Sequence, residues 1–508
     1  MNEQSDHGSP VRNLSINFTS ELKWLYYELF KNVPCLDSCY ADLLNKLQEN
    51  EHIRSSMCPD SDPVPAYAAS PASGSTVPLG MVLHADTFAD SLSGFESRIP
   101  YLLEAGVTFL HICSFPAHEK EEEILHLFHA CHQAGITVCV SIKTLFHSPA
   151  ALNRTISDIL FFAGAGADFM YPEITAGQRL KPPVLRILKI ICETVRPSFR
   201  IVGDRSHSGI EMKYECSFLY TANLMSAIWN SVATGNVALL KYEADHCTLL
   251  PEDPLFLNYL RRQDLLNWDL DYAFLGSSGI DERVHRHFLN DFFTGIYPGS
   301  CSRGNLFHAG SHGTSSGLCG TTASFCGIEK YGFEGNRQGV SASVDLMLML
   351  YALVFSLPGI PVVCSGDEIG MVNDYSYRRK KELLSDDRYL HHSRFRTDLA
   401  EKRHLEGTVP NRIFTMLMTL CQIRREHPGL FLNAPSWTLD TWSSSTLALV
   451  RETKAEKFIG LYNFSSETDV AWINEQDGPY TDLLSGDSAE AQGISLPPYS
   501  FRWLLKSK

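Results

Sequence analysis

The chain has 508 residues and a formal net charge of −15 at pH 7. This length accommodates a barrel domain of about 250 residues together with one or two further domains. The negative charge argues against a nucleic-acid partner and against an anionic membrane surface, because both bind basic patches. Residues 1–10 lack a signal-peptide pattern and the 14 cysteines resemble reduced thiols, so we expect a cytoplasmic protein.

Residues 1–58 predict a helical N-terminal region. Leucines and aromatic residues recur at helical spacing along 19–53, where they form two apolar stripes. The following residues, 59–78, read PDSDPVPAYAASPASGSTVP. This Pro-, Ser- and Ala-rich composition is typical of a linker.

From Leu79 the pattern alternates between short apolar runs and amphipathic segments. Several amphipathic segments end in Gly before the next run, as helices do before a strand. The predicted strands are 81–86, 107–113, 136–142, 167–171, 199–204, 216–222, 256–264 and 360–366. Eight repeated βα units favour a closed parallel barrel over an open sheet, and we assign it to 79–430.

The last predicted helix of the barrel, 346–357, is apolar on every face. Such a helix is covered on all sides, and it is shorter than the roughly 20 residues of a membrane span. After 430 the pattern changes to alternating runs such as TLALVRE and KFIGLYNF. Residues 431–508 therefore predict an antiparallel β-sandwich. The fold class is α/β: a (β/α)8 TIM barrel with a helical N-terminal extension and a C-terminal β-sandwich.

Three carboxylates follow predicted strands four, five and seven. They are Glu173, Asp204 and Asp264, and the chemistry of a (β/α)8 barrel sits at these strand ends. Two carboxylates on neighbouring strand ends can flank a glycosidic bond, and a separation of about 5 Å gives a retaining mechanism. Other polar residues near predicted strand ends are His84, Asp86, Ser141, Lys143, Arg262, Asp367 and Glu368.

Several long segments carry a family resemblance in the same order along the chain. They include AGADFMYPE, NYLRRQDLLNW, AFLGSSGIDERVHRHFLNDFFTG, PGIPVVCSGDEIGMVNDYSY and SDDRYLHHSRFR. From Leu79 onward the chain resembles the amylosucrase-like members of the α-amylase superfamily (glycoside hydrolase family 13). The resemblance implies the three-part fold given above. It also implies an enzyme that transfers glucose from sucrose to an α-glucan or to water, with no redox cofactor.

The resemblance places Glu173 at the nucleophile position, Asp204 at the acid/base position and Asp264 at the position of the transition-state-stabilising aspartate. Only Asp264 matches the residue type that the family uses. Tyr171 stands where the family has arginine, and Gln263 stands where it has histidine. The catalytic positions are therefore substituted, although the strands that carry them are present.

Arg394 stands where the family has a sugar-binding arginine, and its aspartate partner after strand two is missing. With Tyr171, Gln263 and Asp86 it forms the predicted substrate-binding set. An ion pair of Arg394 with Asp264 is the structural alternative to sugar binding. About 25 residues separate predicted strands three and four, which is enough for one helix, so the family's inserted lid domain is absent.

Three functions are consistent with these substitutions. In the first, Glu173 and Asp204 are a reciprocal swap that keeps α-glucosidase or glucosyltransferase activity on sucrose or an α-glucan. In the second, the barrel is a pseudoenzyme that binds an α-glucoside, an oligosaccharide or a protein at its open mouth. The combined loss of the lid and of several site residues favours this second function. In the third, the site is rebuilt for another reaction.

Other residues receive structural interpretations. No CxxC spacing suggests a metal site, and the run 126–132 (HLFHACH) predicts a solvated helix face rather than metal ligands. We expect Asp367 and Glu368 to be hydrogen-bonded to backbone at the top of the barrel. Core packing is the expected role of the aromatic residues Trp229, Trp268 and Tyr272.

Overall fold

The computed structural model describes ten segments of the chain. They are 16–57, 79–114, 121–174, 180–205, 214–247, 254–262, 265–307, 317–384, 386–475 and 478–508. The predicted linker, 59–78, and the predicted site residues Gln263 and Asp264 lie outside the described residues.

Eight parallel strands form a closed barrel, which confirms the predicted fold class. The strands pair in chain order, and the first closes on the last, with Gly80 opposite Val362. They are rich in Val, Ile and Leu and are almost wholly buried, as expected of parallel strands covered on both faces. We label them β1 Leu79–His84, β2 Val107–Cys113, β3 Thr137–Lys143, β4 Phe169–Glu173, β5 Arg200–Arg205, β6 Phe218–Thr221, β7 Leu255–Tyr259 and β8 Ile360–Cys364.

The observed strand ends move some site residues relative to the prediction. β4 ends at Glu173, two residues later than predicted, and β7 ends at Tyr259, so Arg262 lies in the loop beyond it. Asp86 was predicted in a strand but lies in the short helix Ala85–Phe88. β1 and β7 end earlier than predicted because residues beyond a strand can continue its pattern without joining the ladder. β4 ends later because Glu173 still pairs with Lys143 of β3.

The helices between strands cover the outside of the barrel. β3 and β4 are joined by one helix, as the spacing predicted. The helices of the barrel region and its loops are Leu92–Glu96, Ile99–Glu104, Glu121–Gln133, Pro149–Gly164, Pro182–Val195, Ala222–Thr234, Ala238–Asp245, Tyr272–Ser277, Glu282–Phe293, Thr322–Phe325, Ile328–Phe333, Arg337–Ser356, Thr397–Glu401, Val409–Glu426 and Pro428–Leu432.

The helix Arg337–Ser356 is longer than the predicted 346–357. Its start is fixed by the side chain of Asn336, which accepts a hydrogen bond from the Gly339 N–H at 2.9 Å. By length and composition it could cross a membrane, but 72% of its apolar window is buried inside the protein. It packs against Val409–Glu426 as a barrel helix.

The N-terminal helices Ile16–Phe30 and Leu36–Met57 pack on the barrel helices that flank β4. Arg186 donates two hydrogen bonds to the Glu21 carboxylate, at 2.7 and 2.9 Å. The buried Tyr26 hydroxyl donates to Asn153 at 2.9 Å. The N-terminal extension is therefore attached to the outer helical layer.

The C-terminal region consists of antiparallel sheets. A six-stranded sheet and a two-stranded sheet enclose a second, smaller hydrophobic core. Buried Arg451 links this region to the barrel by donating to the Ser356 carbonyl at 2.8 Å. The strands are Ser436–Leu439, Thr446–Glu452, Glu456–Asn463, Asp469–Trp472, Tyr480–Asp482, Ser488–Ala489, Gln492–Leu496 and Phe501–Ser507.

Candidate functional site at the barrel mouth

A polar layer closes the inside of the barrel just below its C-terminal mouth. His111 on β2 is fully buried, with Nδ1 2.8 Å from the Tyr220 hydroxyl and Nε2 2.9 Å from the Ser141 hydroxyl. Burial lowers the pKa of His111 to about 3, and the nearby Arg262 charge acts in the same direction. The layer is therefore neutral and internally satisfied.

Asp204, at the end of β5, is engaged by two protein donors. The Tyr171 hydroxyl donates to its Oδ2 at 2.6 Å, and Arg262 donates from Nη1 to its Oδ1 at 2.9 Å. A second guanidinium nitrogen of Arg262 lies 3.2 Å from the Tyr171 hydroxyl. Both carboxylate oxygens thus accept a hydrogen bond within the protein.

Arg262 is enclosed by aromatic rings as well as paired with Asp204. Its guanidinium carbon lies 5.0 Å from the ring centroid of Tyr171, 4.4 Å from that of Tyr220 and 5.3 Å from that of Tyr259. Tyrosine faces attract a cation at such distances. The guanidinium therefore fills the centre of the mouth, above the His111 layer, and occupies space between the ends of β4, β6 and β7.

A polar cleft of about 110 Å³ lies beside this plug. It is smaller than the roughly 300–1,000 Å³ that is common for ligand pockets. The loops after β2, β4 and β5 each contain residues outside the described part of the chain. The residues that line the cleft are His84, Asp86, Thr87, Cys113, Ser114, Glu173, Asp386, Arg388, Tyr389 and His392.

His84 is the most constrained titratable group of the cleft. Its Nδ1 lies 2.9 Å from the Ser114 hydroxyl, and its ring is tilted against that of His392 with 4.0 Å between centroids. Its buried Nε2 has no hydrogen-bond partner among the residues that the structure describes. Burial lowers the pKa of His84 to about 4, and the Arg388 charge contributes. A neutral imidazole with one unused nitrogen therefore faces this region.

The opposite wall carries an ion pair. Arg388 donates to both carboxylate oxygens of Asp386, with Nη2 2.6 Å from Oδ2 and Nε 2.9 Å from Oδ1. Glu173 and the exposed Asp86 add carboxylates on the other side of the cleft. Carboxylates accept hydrogen bonds and guanidinium groups donate them, so the cleft offers both partners to a hydroxyl-rich ligand.

Asp367 and Glu368, beyond β8, are structural, but the predicted partners were only partly right. Asp367 is fully buried and accepts hydrogen bonds from the side chains of Arg261, Thr322 and Tyr351 at 2.6–3.0 Å, not from backbone. Glu368 accepts from the Gly366 N–H at 2.7 Å, as predicted, and also from a tyrosine hydroxyl. Burial makes side-chain donors necessary because few backbone groups are free inside the barrel.

The other predicted residues are distributed as follows. Arg394 forms an exposed ion pair with Asp90. Trp229 and Trp268 are buried in the core. Within 126–132, His126 and His129 are exposed and His132 is half-buried, as predicted for a solvated face, while Cys131 is buried. Among the described residues, no group of three or more His, Cys, Asp or Glu could hold a metal ion.

Two features of the site were not predicted. The pattern placed Arg262 at a strand end, but it did not indicate that the guanidinium turns inward onto Asp204. The His391–His392 pair lies within the run SDDRYLHHSRFR, yet only Arg394 of that run was selected. Adjacent histidines beside a strand-end histidine were the available signal.

Comparison with solved structures supports the fold. Trehalulose synthase MutB from Pseudomonas mesoacidophila MX-45 superposes with a TM-score of 0.55 at 12% identity, over 88% of this chain and 100% of that chain. Cyclic α-maltosyl-(1→6)-maltose hydrolase from Arthrobacter globiformis gives 0.55 at 12% identity, over 87% and 100%. The α-amylase from H. orenii gives 0.54 at 10% identity, over 85% and 100%. The fold is that of α-amylase-family enzymes.

Sequence comparison is more limited. No protein-family model matches the chain. Glucosylglycerate phosphorylase from Escherichia coli (strain K12) is 24% identical over 159 residues, which is 31% of this chain and 27% of that protein. The match therefore spans about a quarter of the curated relative.

Proposed function

We propose that this chain is a member of glycoside hydrolase family 13 whose barrel mouth binds a sugar without hydrolysing or transferring it. The observation that carries this proposal is the state of Asp204, at the acid/base position of the resemblance. Both of its carboxylate oxygens accept hydrogen bonds, from Tyr171 and Arg262. A general acid must direct a proton from one of these oxygens to the leaving group.

The substituted positions of the family resemblance support the same conclusion. Tyr171 and Gln263 replace the arginine and histidine that the resemblance expects. Preorganised donors of this kind supply several kcal/mol of transition-state stabilisation. Arg262 places a positive charge at the mouth, but this charge is paired with Asp204 and packed against the surrounding tyrosine rings.

The sugar-binding half of the proposal rests on the cleft lined by His84. The buried Nε2 of His84 has no partner within the described part of the chain, and Asp86 and Arg388 lie around the same space. Related folds have been solved with sugars, namely MutB with isomaltulose and AmyP with maltose. Because the cleft is small, we expect one sugar unit, such as a terminal glucosyl group, to enter it.

An active retaining enzyme is the second candidate. The position of Glu173 favours this candidate. A retaining enzyme needs two carboxylates that flank the bond, and Glu173 lines the cleft while Asp204 lies on the neighbouring strand β5. In that case Glu173 would act as nucleophile and Asp204 as acid/base. The amylosucrase-like substrates of the resemblance, sucrose and α-glucans, would then apply.

Turnover and binding are measured separately with the purified chain. Release of fluoride from α-glucosyl fluoride, and of glucose from sucrose, is expected to equal the buffer rate. Calorimetry with glucose and maltose is expected to show saturable binding that Glu173→Gln weakens about tenfold, by loss of one charged acceptor. The exposed Glu426→Gln serves as the matched control and is expected to bind like the original chain.

The outcomes separate the candidates. Release of fluoride by the original chain that is abolished in Glu173→Gln would establish an active enzyme. It would refute the proposal that the chain binds sugar without turnover. Absence of binding by any sugar would refute the sugar-binding role and favour a protein partner at the mouth.

A further inference from the structure

Two tryptophans are exposed at neighbouring backbone positions of the C-terminal region, far along the chain from the barrel-mouth residues. Trp442 is 82% exposed and Trp472 is 57% exposed. The Trp472 N–H donates to the Thr441 carbonyl at 3.1 Å, so the peptide unit leading into Trp442 is bonded to Trp472. Among the described residues after 435, no other large hydrophobic side chain is exposed.

Trp442 is held in a conformation that bulky residues rarely adopt. Its φ is +58°, in the left-handed region, which is sterically unfavourable for a large side chain. Asp440 accepts a hydrogen bond from the Trp442 N–H at 3.2 Å. Such strain persists only where surrounding structure fixes it, and it concentrates at functional positions.

The turn that carries Trp442 is fixed by one carboxylate. Asp469 Oδ2 accepts hydrogen bonds from the hydroxyls of Ser443, Ser445 and Thr446, the last two at 2.9 and 2.6 Å. Three donors on one oxygen immobilise the turn relative to the strand that ends in Trp472. The exposed indole of Trp442 is thus presented on a rigid support, which lowers the entropic cost of binding.

Trp472 is also placed by a local irregularity. A shift of register between Ala471 and Trp472 marks a β-bulge, a device that redirects a side chain. The indole lies against Gly493, where an added Cβ would come within 3.2 Å of the ring. Gln492, which is exposed, lies opposite Trp472 in the strand register.

The area of this pair limits what it can bind. A tryptophan side chain buries at most about 250 Å². Because Trp442 is 82% exposed and Trp472 is 57% exposed, the pair offers a ligand roughly 350 Å² of surface. A stable protein interface needs about 800 Å² from each partner. The charge beside the pair is neutralised, since Asp440 lies 3.5 Å from Lys241. A small, neutral ligand that contacts aromatic faces fits these properties better than a protein does.

We propose that Trp442 and Trp472 form a stacking platform for the pyranose rings of a neutral polysaccharide. The C–H groups on one face of a pyranose carry partial positive charge and pack on the electron-rich indole face. Equatorial hydroxyls then reach polar neighbours such as Gln492 and Asp440. This surface is separate from the barrel mouth, and the present proposal does not depend on the function proposed for the mouth.

Affinity electrophoresis of the full chain in native gels tests the platform. The gels contain amylopectin or, separately, hydroxyethyl cellulose, which distinguish an α-glucan from a β-glucan. At least one polymer is expected to retard the original chain. Trp442→Asn, a residue that tolerates the left-handed region, and Trp472→Ala are each expected to weaken this binding about tenfold.

One control keeps the result specific. Trp24→Ala removes an exposed tryptophan from an N-terminal helix and is expected to leave the retardation unchanged. Circular dichroism confirms that each variant is folded.

The proposal is overturned if neither polymer retards the original chain, or if Trp442→Asn and Trp472→Ala migrate like Trp24→Ala. Concentration-dependent self-association that Trp442→Asn abolishes, without retardation by either polymer, would show a protein contact instead.

Discussion

Glu368 gives a prediction with a worked magnitude. Its side chain is 1% exposed and accepts hydrogen bonds from the Tyr101 hydroxyl at 2.6 Å and the Gly366 N–H at 2.7 Å. Burial raises the pKa of Glu368 from 4.5 to about 7. Above pH 4.5 the unfolded chain loses this proton while the folded chain keeps it, so stability falls as pH rises through that interval.

The size of the effect follows from the two pKa values. Between pH 5 and pH 8 the group destabilises the folded chain by about 2.5 kcal/mol, because the difference in bound protons vanishes only above the folded pKa of about 7. Glu368→Gln removes the titration and keeps a carbonyl acceptor for the backbone. The advantage of Glu368→Gln over the original chain is therefore expected to grow with pH.

Thermal unfolding of the two proteins at pH 5, 6, 7 and 8 measures this. For a barrel of roughly 350 residues, 2.5 kcal/mol corresponds to about 3 °C in Tm. The difference in Tm between Glu368→Gln and the original chain is expected to rise by that amount from pH 5 to pH 8. A difference that stays constant over the series would refute the assignment of a raised pKa to Glu368.

Four further substitutions, one of them a matched control, test the packing of the mouth and barrel. Asp367→Ala leaves Arg261 buried without its anion and is expected to cost about 3–5 kcal/mol, seen as a lower Tm or loss of soluble protein; an unchanged Tm would contradict the buried pair. Gly359→Ala places a Cβ 2.3 Å from a carbonyl oxygen at φ +107° and is expected to abolish soluble expression, whereas Gly407→Ala, with open space around it, is expected to cost about 1 kcal/mol. Arg262→Ala leaves an empty space among the rings of Tyr171, Tyr220 and Tyr259, so millimolar methylguanidinium is expected to raise the Tm of this variant and not that of the original chain. Equal shifts in Tm would show that these rings do not select a cation.

The barrel was predictable because strand and helix periodicities are local. A run such as IPVVC is buried on both faces, and that requirement is visible in the residues themselves. The ends of the strands were predicted only to within a few residues. Glu173, for example, was expected beyond β4 but is its last residue. The same locality made the antiparallel C-terminal strands recognisable from their alternation.

The partners of the site residues were not predictable in the same way. Arg262 follows β7, but its contacts with Tyr171 on β4 and Asp204 on β5 join residues 91 and 58 positions apart. A long, flexible side chain has many rotamers, and only the assembled barrel selects the one that points inward. Asp367 likewise found side-chain donors where backbone was expected.

By itself, the sequence determined that eight βα units would close and that carboxylates would end several of the strands, since both depend on neighbouring residues. Only the tertiary structure decided which charges neutralise each other at the mouth, because side chains from β4, β5 and the loop after β7 meet there after closure. Asp204 is therefore an occupied acceptor in the folded chain, although the family resemblance predicts the acid/base position there.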